Sequence, residues 1–262
     1  MNKLTIYQVD AFTNHVFGGN PAAVCILNYW LASDLMQKIA SENNLSETAF
    51  LVKEKDQYHI RWFTPTIEVD LCGHATLSSA HILFEFGFES SKQINFFSQK
   101  SGVLSVSRNE HLLTLDFPID NICEVELTEE LSTPFDFAPI AAFKGKTDYL
   151  LVFEKEAEVK LLEPDFVKLA KINCRGIIAT AKGEKVDFVS RFFGPKTGVN
   201  EDPVTGSAHT TLAPYWYKKL DKTKMIAKQI SERGGDLEIE FAGDRVKISG
   251  RAITYMKGEI YF

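Results

Sequence analysis

A carboxylate at the point where a loop enters a buried strand is costly unless something compensates it. Glu47 stands in that position: the stretch Ser41-Glu42-Asn43-Asn44-Leu45-Ser46-Glu47-Thr48 runs directly into the apolar residues Ala49-Phe50-Leu51-Val52. Burial would raise its pKa toward the range useful for carbon–proton transfer, and a helix N-terminus nearby would lower it. Spacing alone leaves the net direction open, and it leaves open the plain alternative of a loop acid beside a strand. His74 follows Gly73 ahead of a helical pattern, where a hydrogen-bonded core histidine is the ordinary reading. Asp202 precedes Pro203, where a turn-forming aspartate is common.

Other chemistries lack their residues. The six histidines (His15, His59, His74, His81, His111, His209) show no His-Glu-x-x-His or equivalent spacing, so no metal site is expected. There is no phosphate-loop motif, no Gly-x-Gly-x-x-Gly and no Gly-x-Ser-x-Gly elbow. The four cysteines, Cys25, Cys72, Cys123 and Cys174, lie about fifty residues apart without a Cys-x-x-Cys pair, which argues against a zinc knuckle or redox motif. With 29 basic against 35 acidic residues the formal charge is −6, the wrong sign for a nucleic-acid backbone. The apolar run 22–27 is too short to span a bilayer. Residues 1–10 carry no long apolar segment and read as a strand, so no secretory leader and a cytoplasmic location with reduced thiols are expected. At 262 residues with 45% hydrophobic side chains, the chain has material for one large domain or two smaller ones.

The elements that must position these residues occur twice. Arg61-Trp62-Phe63-Thr64-Pro65 matches Arg191-Phe192-Phe193-Gly194-Pro195. Cys72-Gly73-His74-Ala75-Thr76 aligns with Thr205-Gly206-Ser207-Ala208-His209, and Lys92-Gln93-Ile94 with Lys228-Gln229-Ile230. In each half an Arg-aromatic-aromatic strand leads into a loop with Pro, acids and Gly, then a helix (75–86 and 208–219), then two strands (102–107 and 112–117; 236–241 and 246–248). A further helix is expected at 32–41 with Ser33 as N-cap, and a counterpart at 164–170. This grammar predicts an α+β fold in two similar halves, 1–118 and 119–262, with the linker within 117–139 and the last strand able to return to the first half. Two copies packed face to face would set both helix openings across one cleft. Their unpaired N–H groups favour a ligand bearing a carboxylate or phosphate.

Five motifs in order carry a resemblance to a known family: Gln8-Val9-Asp10-Ala11-Phe12; Gly19-Asn20-Pro21-Ala22-Ala23-Val24; Asn44 to Phe50; Cys72 to Thr76; and Asn200-Glu201-Asp202-Pro203-Val204-Thr205-Gly206-Ser207-Ala208-His209. Together they resemble the PhzF-like isomerases of phenazine biosynthesis, from residue 8 to the closing Ile248-Ser249-Gly250-Arg251-Ala252. The resemblance implies a diaminopimelate-epimerase-like fold, each half a curled sheet around a central helix, in a cofactor-free homodimer. It implies a glutamate that moves a proton along a dihydro-hydroxyanthranilate, at the position of Glu47, assisted at the positions of His74 and Asp202. Substrate contacts fall on Asn20 and on main-chain donors at Gly73-His74 and Gly206-Ser207. Related epimerases and racemases use a pair of cysteines. Here Cys72 stands near the first place and the second junction has no thiol, so Cys72 reads as a small buried residue.

The expectation is thus an isomerase acting without cofactor on a small carboxylate-bearing metabolite. Two other readings stand beside it: an amino- or hydroxy-acid epimerase using Glu47 with Asp202 or Cys72, and a non-catalytic carboxylate-binding or protein-interaction module.

Overall fold

The computed structural model describes residues 2–262. The chain forms two compact units, Met1–Asp116 with Ser249–Phe262, and Phe117–Ile248.

The first unit contains β1 (Lys3–Ala11), β2 (Asn20–Leu27), α1 (Ser33–Asn43), β3 (Glu47–Glu54), β4 (Gln57–Phe63), β5 (Glu68–Val69), α2 (Gly73–Glu85), β6 (Gln93–Ser98), β7 (Gly102–Asn109) and β8 (Leu112–Pro118). β1 pairs antiparallel with β2, β2 parallel with β3 through the α1 crossover, and β3 antiparallel with β4. β4 runs parallel to β6, and β6, β7 and β8 continue as antiparallel neighbours. The C-terminal strand of the chain, Ala252–Tyr261, pairs antiparallel with β1 from Lys3↔Tyr261 to Ala11↔Ala252.

The second unit repeats the plan. It holds β9 (Cys123–Val125), α3 (Glu129–Ser132), β10 (Ala141–Lys144), β11 (Tyr149–Val152), α4 (Glu156–Leu161), α5 (Phe166–Leu169), β12 (Ile177–Lys182) and β13 (Phe188–Gly194). β14 (Val199–Asp202), α6 (Ala208–Leu220), β15 (Lys224–Gln229), β16 (Gly235–Ala242) and β17 (Arg245–Gly250) complete it, and the returning C-terminal strand is β18. β11 and β12 are the parallel pair, β12 and β13 are antiparallel, and β13 runs parallel to β15. These are the relations of β2–β3, β3–β4 and β4–β6. The internal duplication is therefore one of topology as well as motif.

Each unit encloses one principal helix. In α2, ten of thirteen residues are buried, against β1, β2, β3, β7 and β18. Such a helix shows little to solvent beyond Glu85 in its last turn, and its composition is small and apolar rather than amphipathic. Its hydroxyls turn inward on the backbone: Thr76 Oγ1 donates to the Cys72 carbonyl at 2.6 Å and Ser79 Oγ to that of Ala75 at 2.7 Å. Those bonds satisfy groups that burial would otherwise leave dry. A second layer of the first unit seats α1 on Ala23, Cys25, Phe50 and Phe63 through Met36, Ile39 and Ala40. Its counterpart packs Val159, Leu162 and Leu169 on Leu151, Ile177 and Phe193.

Element boundaries differ from the sequence expectation at the openings. α1 begins at Ser33, with Ala32 as the cap residue, and the Ser33 hydroxyl instead accepts from Arg61 Nη2 at 3.0 Å. α2 begins two residues before the expected start, so Gly73 and His74 lie in its first turn. The counterpart expected at 164–170 is the short α5, with Asp165 accepting from the N–H groups of Val167 and Lys168. The crossover adds α4 before it.

Candidate active site

Three backbone devices converge on the opening of α2. The turn before β2 depends on Gly19, at φ +62°, where a Cβ would stand 2.0 Å from the Ala11 carbonyl oxygen. That turn delivers Asn20 as the first residue of β2, fully buried. Glu47 opens β3, in parallel register with Ala22. Arg61 on β4 forks onto Glu68 of β5, with Nε and Nη2 each 2.7 Å from a carboxylate oxygen, and so holds the short strand that leads to Cys72.

These devices bring Asn20, Glu47, Gly73 and His74 together. Glu47 Oε2 lies 3.0 Å from His74 Nε2, and Asn20 Nδ2 lies 3.2 Å from His74 Nδ1. The Glu47 contact is at ion-pair distance, but no group meets hydrogen-bond geometry at Oε2, so this oxygen keeps a lone pair undirected. Cys72 Sγ sits 3.6 Å from Nδ1 and 3.9 Å from Nε2. Burial opposes charge on His74, yet the neighbouring Cys72 sulfur and Glu47 carboxylate outweigh it and hold the imidazole pKa well above the ordinary value. Burial, with Glu47 next, pushes the Cys72 thiol up to about 11, so at neutral pH the sulfur is a thiol. An imidazolium needs an acceptor at Nδ1, and the Asn20 amide supplies its oxygen there in one of its two orientations. Glu47, Cys72 and His74 also form a set of three possible metal donors within 4.8 Å of one another, which spacing along the sequence did not reveal.

The second unit builds the corresponding opening before α6. Arg191 of β13 forks onto Glu201 of β14, with Nε–Oε1 2.7 Å and Nη2–Oε2 2.8 Å, matching Arg61 and Glu68. Register agrees as well: Phe63 pairs with Glu68 and Phe193 with Glu201. Asp202 accepts from Thr205 Oγ1 at 2.5 Å. Gln229, fully buried, accepts from Thr205 N at 2.8 Å and donates to the Asp202 carbonyl at 2.7 Å. His209 Nδ1 lies 2.9 Å from the Thr205 carbonyl, and burial lowers its pKa to about 4, so it is a neutral imidazole. Ser207 Oγ accepts from Arg175 Nη1 at 3.1 Å, and Arg175 is itself forked onto buried Asp148. Among the described residues, no acceptor takes the N–H groups of Gly73, His74, Gly206 or Ser207. Each opening therefore presents main-chain donors to an anion.

Sequence reasoning placed Glu47, His74 and Asn20 but passed over Glu68, Glu201, Thr205, Gln229 and Arg175. The acids in both loops after the repeated Arg-aromatic-aromatic strands were the available signal for the forks.

By its fold and its relatives the chain is an isomerase of the diaminopimelate-epimerase-like fold. A hydroxyproline epimerase of Agrobacterium vitis shares that fold at a TM-score of 0.61 over 98% of this chain and 92% of its own, with 10% identity. The chain belongs to the phenazine biosynthesis-like protein family, PhzC-PhzF, which it matches over residues 9–258. It is 50% identical to an uncharacterized isomerase of Pseudomonas aeruginosa over 259 residues, 98% of either chain. The crystal structure of a PhzF-family phenazine biosynthesis protein of Enterococcus faecalis covers all of both chains at a TM-score of 0.97 and 46% identity.

Proposed function

We propose that this protein moves a proton between carbons of a small carboxylate-bearing metabolite, with Glu47 as the group that takes and returns it. The observation that carries this reading is the Glu47–His74 pair: a carboxylate with an undirected oxygen lone pair, 3.0 Å from a buried imidazole whose pKa is raised. The Glu47 oxygen that no hydrogen bond directs is placed to accept a proton beside that ring. The imidazolium in turn polarises a neighbouring substrate group or relays the proton onward. Asn20 fixes the ring. Gly73 and His74 N–H groups bind the substrate carboxylate.

Asp202, Gly206 and Ser207 enter the proposal as a further polarising acid and further carboxylate donors. Their support is the duplicated architecture and the bonding of Thr205 and Gln229 to Asp202. Cys72, as a thiol with a pKa pushed up to about 11, is not assigned a role as base.

The test is proton exchange in D₂O, followed by NMR over a panel of small carboxylates that includes dihydro-hydroxyanthranilate. Deuterium entering carbon with the native protein, and not with Glu47→Gln, is the expected result. Equal exchange by Glu47→Gln would remove Glu47 from the mechanism. The labelled position separates double-bond isomerisation from epimerisation, in which one enantiomer would give its labelled mirror form. Binding of several carboxylates with exchange in none would favour a binding module.

A further inference from the structure

The two openings share a plan but not their side chains. Phe63 of β4 faces Thr48 and Phe193 of β13 faces Ile177, so the residues just ahead, Glu47 and Gly176, occupy one place in the repeat. His74 aligns with Ser207 in the same way. The second unit thus has no acid at the Glu47 place, and none fits there, because a Cβ on Gly176 would run into the Phe192 ring. Arg175, one residue earlier, reaches Ser207 instead, with Nη1 donating to Oγ at 3.1 Å.

The guanidinium is held from several sides. Nε donates to Asp148 Oδ1 at 2.9 Å and Nη2 to Oδ2, and Asp148 is fully buried. Main-chain bonds from Arg175 N to the Thr147 carbonyl (2.8 Å) and from Tyr149 N to the Gly176 carbonyl (3.1 Å) tie the two segments together on either side of that ion pair. The Phe192 ring centroid lies 5.3 Å from the guanidinium carbon. A fork fixed on one carboxylate gives Nη1 a set direction, which a lysine cannot reproduce. Ser207 Oγ therefore receives a charged donor, while its own proton has no acceptor among the described residues. The N–H groups of Gly206 and Ser207 have none either. All three are donors, so the group that suits them best is acceptor-only, a carboxylate rather than an amide or amine. A hydroxyl that already accepts from a cation is also the stronger donor.

We propose that Arg175 is a positioning residue that makes Ser207 a carboxylate-selective donor at the second opening. Asp148 holds the guanidinium, the guanidinium occupies an acceptor site of the hydroxyl, and the hydroxyl proton is left for a carboxylate oxygen of the ligand. The assignment rests on the reading of this opening as a carboxylate site. It gives that site a source of selectivity in a side chain, beyond its main-chain donors.

Calorimetry with anthranilate and with anthranilamide, its uncharged amide, tests the role on the native protein, Arg175→Gln, Arg175→Lys and Ser207→Ala. Arg175→Gln and Ser207→Ala should each bind anthranilate at least tenfold more weakly and anthranilamide within about threefold of the native protein. Arg175→Lys should behave more like Arg175→Gln than like the native protein. Because Arg175 acts through Ser207, the double variant should lose no more than about the larger single loss. If Arg175→Gln leaves Asp148 unpaired and does not fold, Arg175→Gln with Asp148→Asn takes its place. Absence of anthranilate binding by the native protein, equal losses for acid and amide, unchanged affinity in a folded Arg175→Gln protein, or additive losses in the double variant would overturn the role. Calorimetry needs no turnover, so the two readings fail separately. Exchange that depends on Glu47, with anthranilate binding indifferent to Arg175, would keep proton transfer and remove this role. Binding that depends on Arg175, with exchange in no compound, would keep the role and count against the isomerase reading.

Discussion

Glu47 Oε2 and His74 Nε2 stand 3.0 Å apart although 27 residues of chain, two strands and a fork of Arg61 on Glu68 separate them. One residue opens a strand and the other lies in the first turn of a helix. The backbones of the pair are therefore set by a strand and a helix rather than by loops, which is the positioning that proton transfer requires.

Replacing Glu47 by Gln keeps size and shape but removes the base. General acid–base groups contribute typically about 10²- to 10⁴-fold, so carbon–deuterium exchange should fall by roughly that factor. Carboxylate binding, measured by calorimetry on the same variant, should change by less than about threefold because the main-chain donors remain.

The raised pKa of His74 is a second measurable quantity. Imidazole ¹H–¹⁵N correlation spectra should show His74 still protonated above the ordinary value of 6.5, and Glu47→Gln should lower its midpoint. The folded pKa exceeds the unfolded one, so this pair's contribution to stability is complete below about pH 6.5 and is lost as pH rises through the folded midpoint. Urea titrations across the alkaline range should show a decline in the native protein that is shallower in Glu47→Gln.

His209 has the opposite sign. It is fully buried, with a pKa lowered from 6.5 to about 4, so the unfolded chain binds the proton first. Its stabilisation is present above about pH 6.5 and is lost as pH falls toward 4, by about 3 kcal/mol at 1.36 kcal/mol per unit. Denaturant unfolding at a series of pH values should show this acid limb, and His209→Gln should flatten it even if the variant is less stable throughout.

The two arginine forks should differ in cost. Arg191 has a side chain 12% exposed and also donates to the carbonyls of Val159, Lys160 and Leu162, whereas Arg61 is 26% exposed and adds only Ser33. Removing one member of a buried pair leaves the other uncompensated. Arg191→Met should therefore cost about 3 kcal/mol and Arg61→Met about 1–2 kcal/mol, read from urea midpoints.

Gln229 supplies a test of the second opening. It satisfies the Thr205 N–H and the Asp202 carbonyl from the end of β15. Gln229→Leu should lower the exchange rate about tenfold through the displaced Asp202 loop, with a stability loss of about 2 kcal/mol for the orphaned N–H. Exchange unchanged in a folded Gln229→Leu protein would detach Asp202 from the chemistry.

The duplicated motifs, the two principal helices and the candidate residues Glu47, His74 and Asp202 were legible in the sequence, because each is marked by local pattern: a periodic run, a Gly at a helix opening, an acid against an apolar stretch. Burial broke the symmetry that those patterns implied. Gln93 and Gln229 align in the repeat, yet Gln93 is exposed and Gln229 is fully buried against the Asp202 loop. Thr76 and His209 align as well, and each bonds a carbonyl of its own opening with a different atom. Partners such as Glu68 and Glu201 are ordinary loop acids until β4–β5 and β13–β14 register sets them beside an arginine. The same holds for the cluster of Glu47, Cys72 and His74. Residue type and local spacing determined which groups were able to do chemistry. Strand pairing and helix burial decided which of them meet, since a contact between residues distant in the chain depends on three-dimensional register that no short stretch of sequence contains.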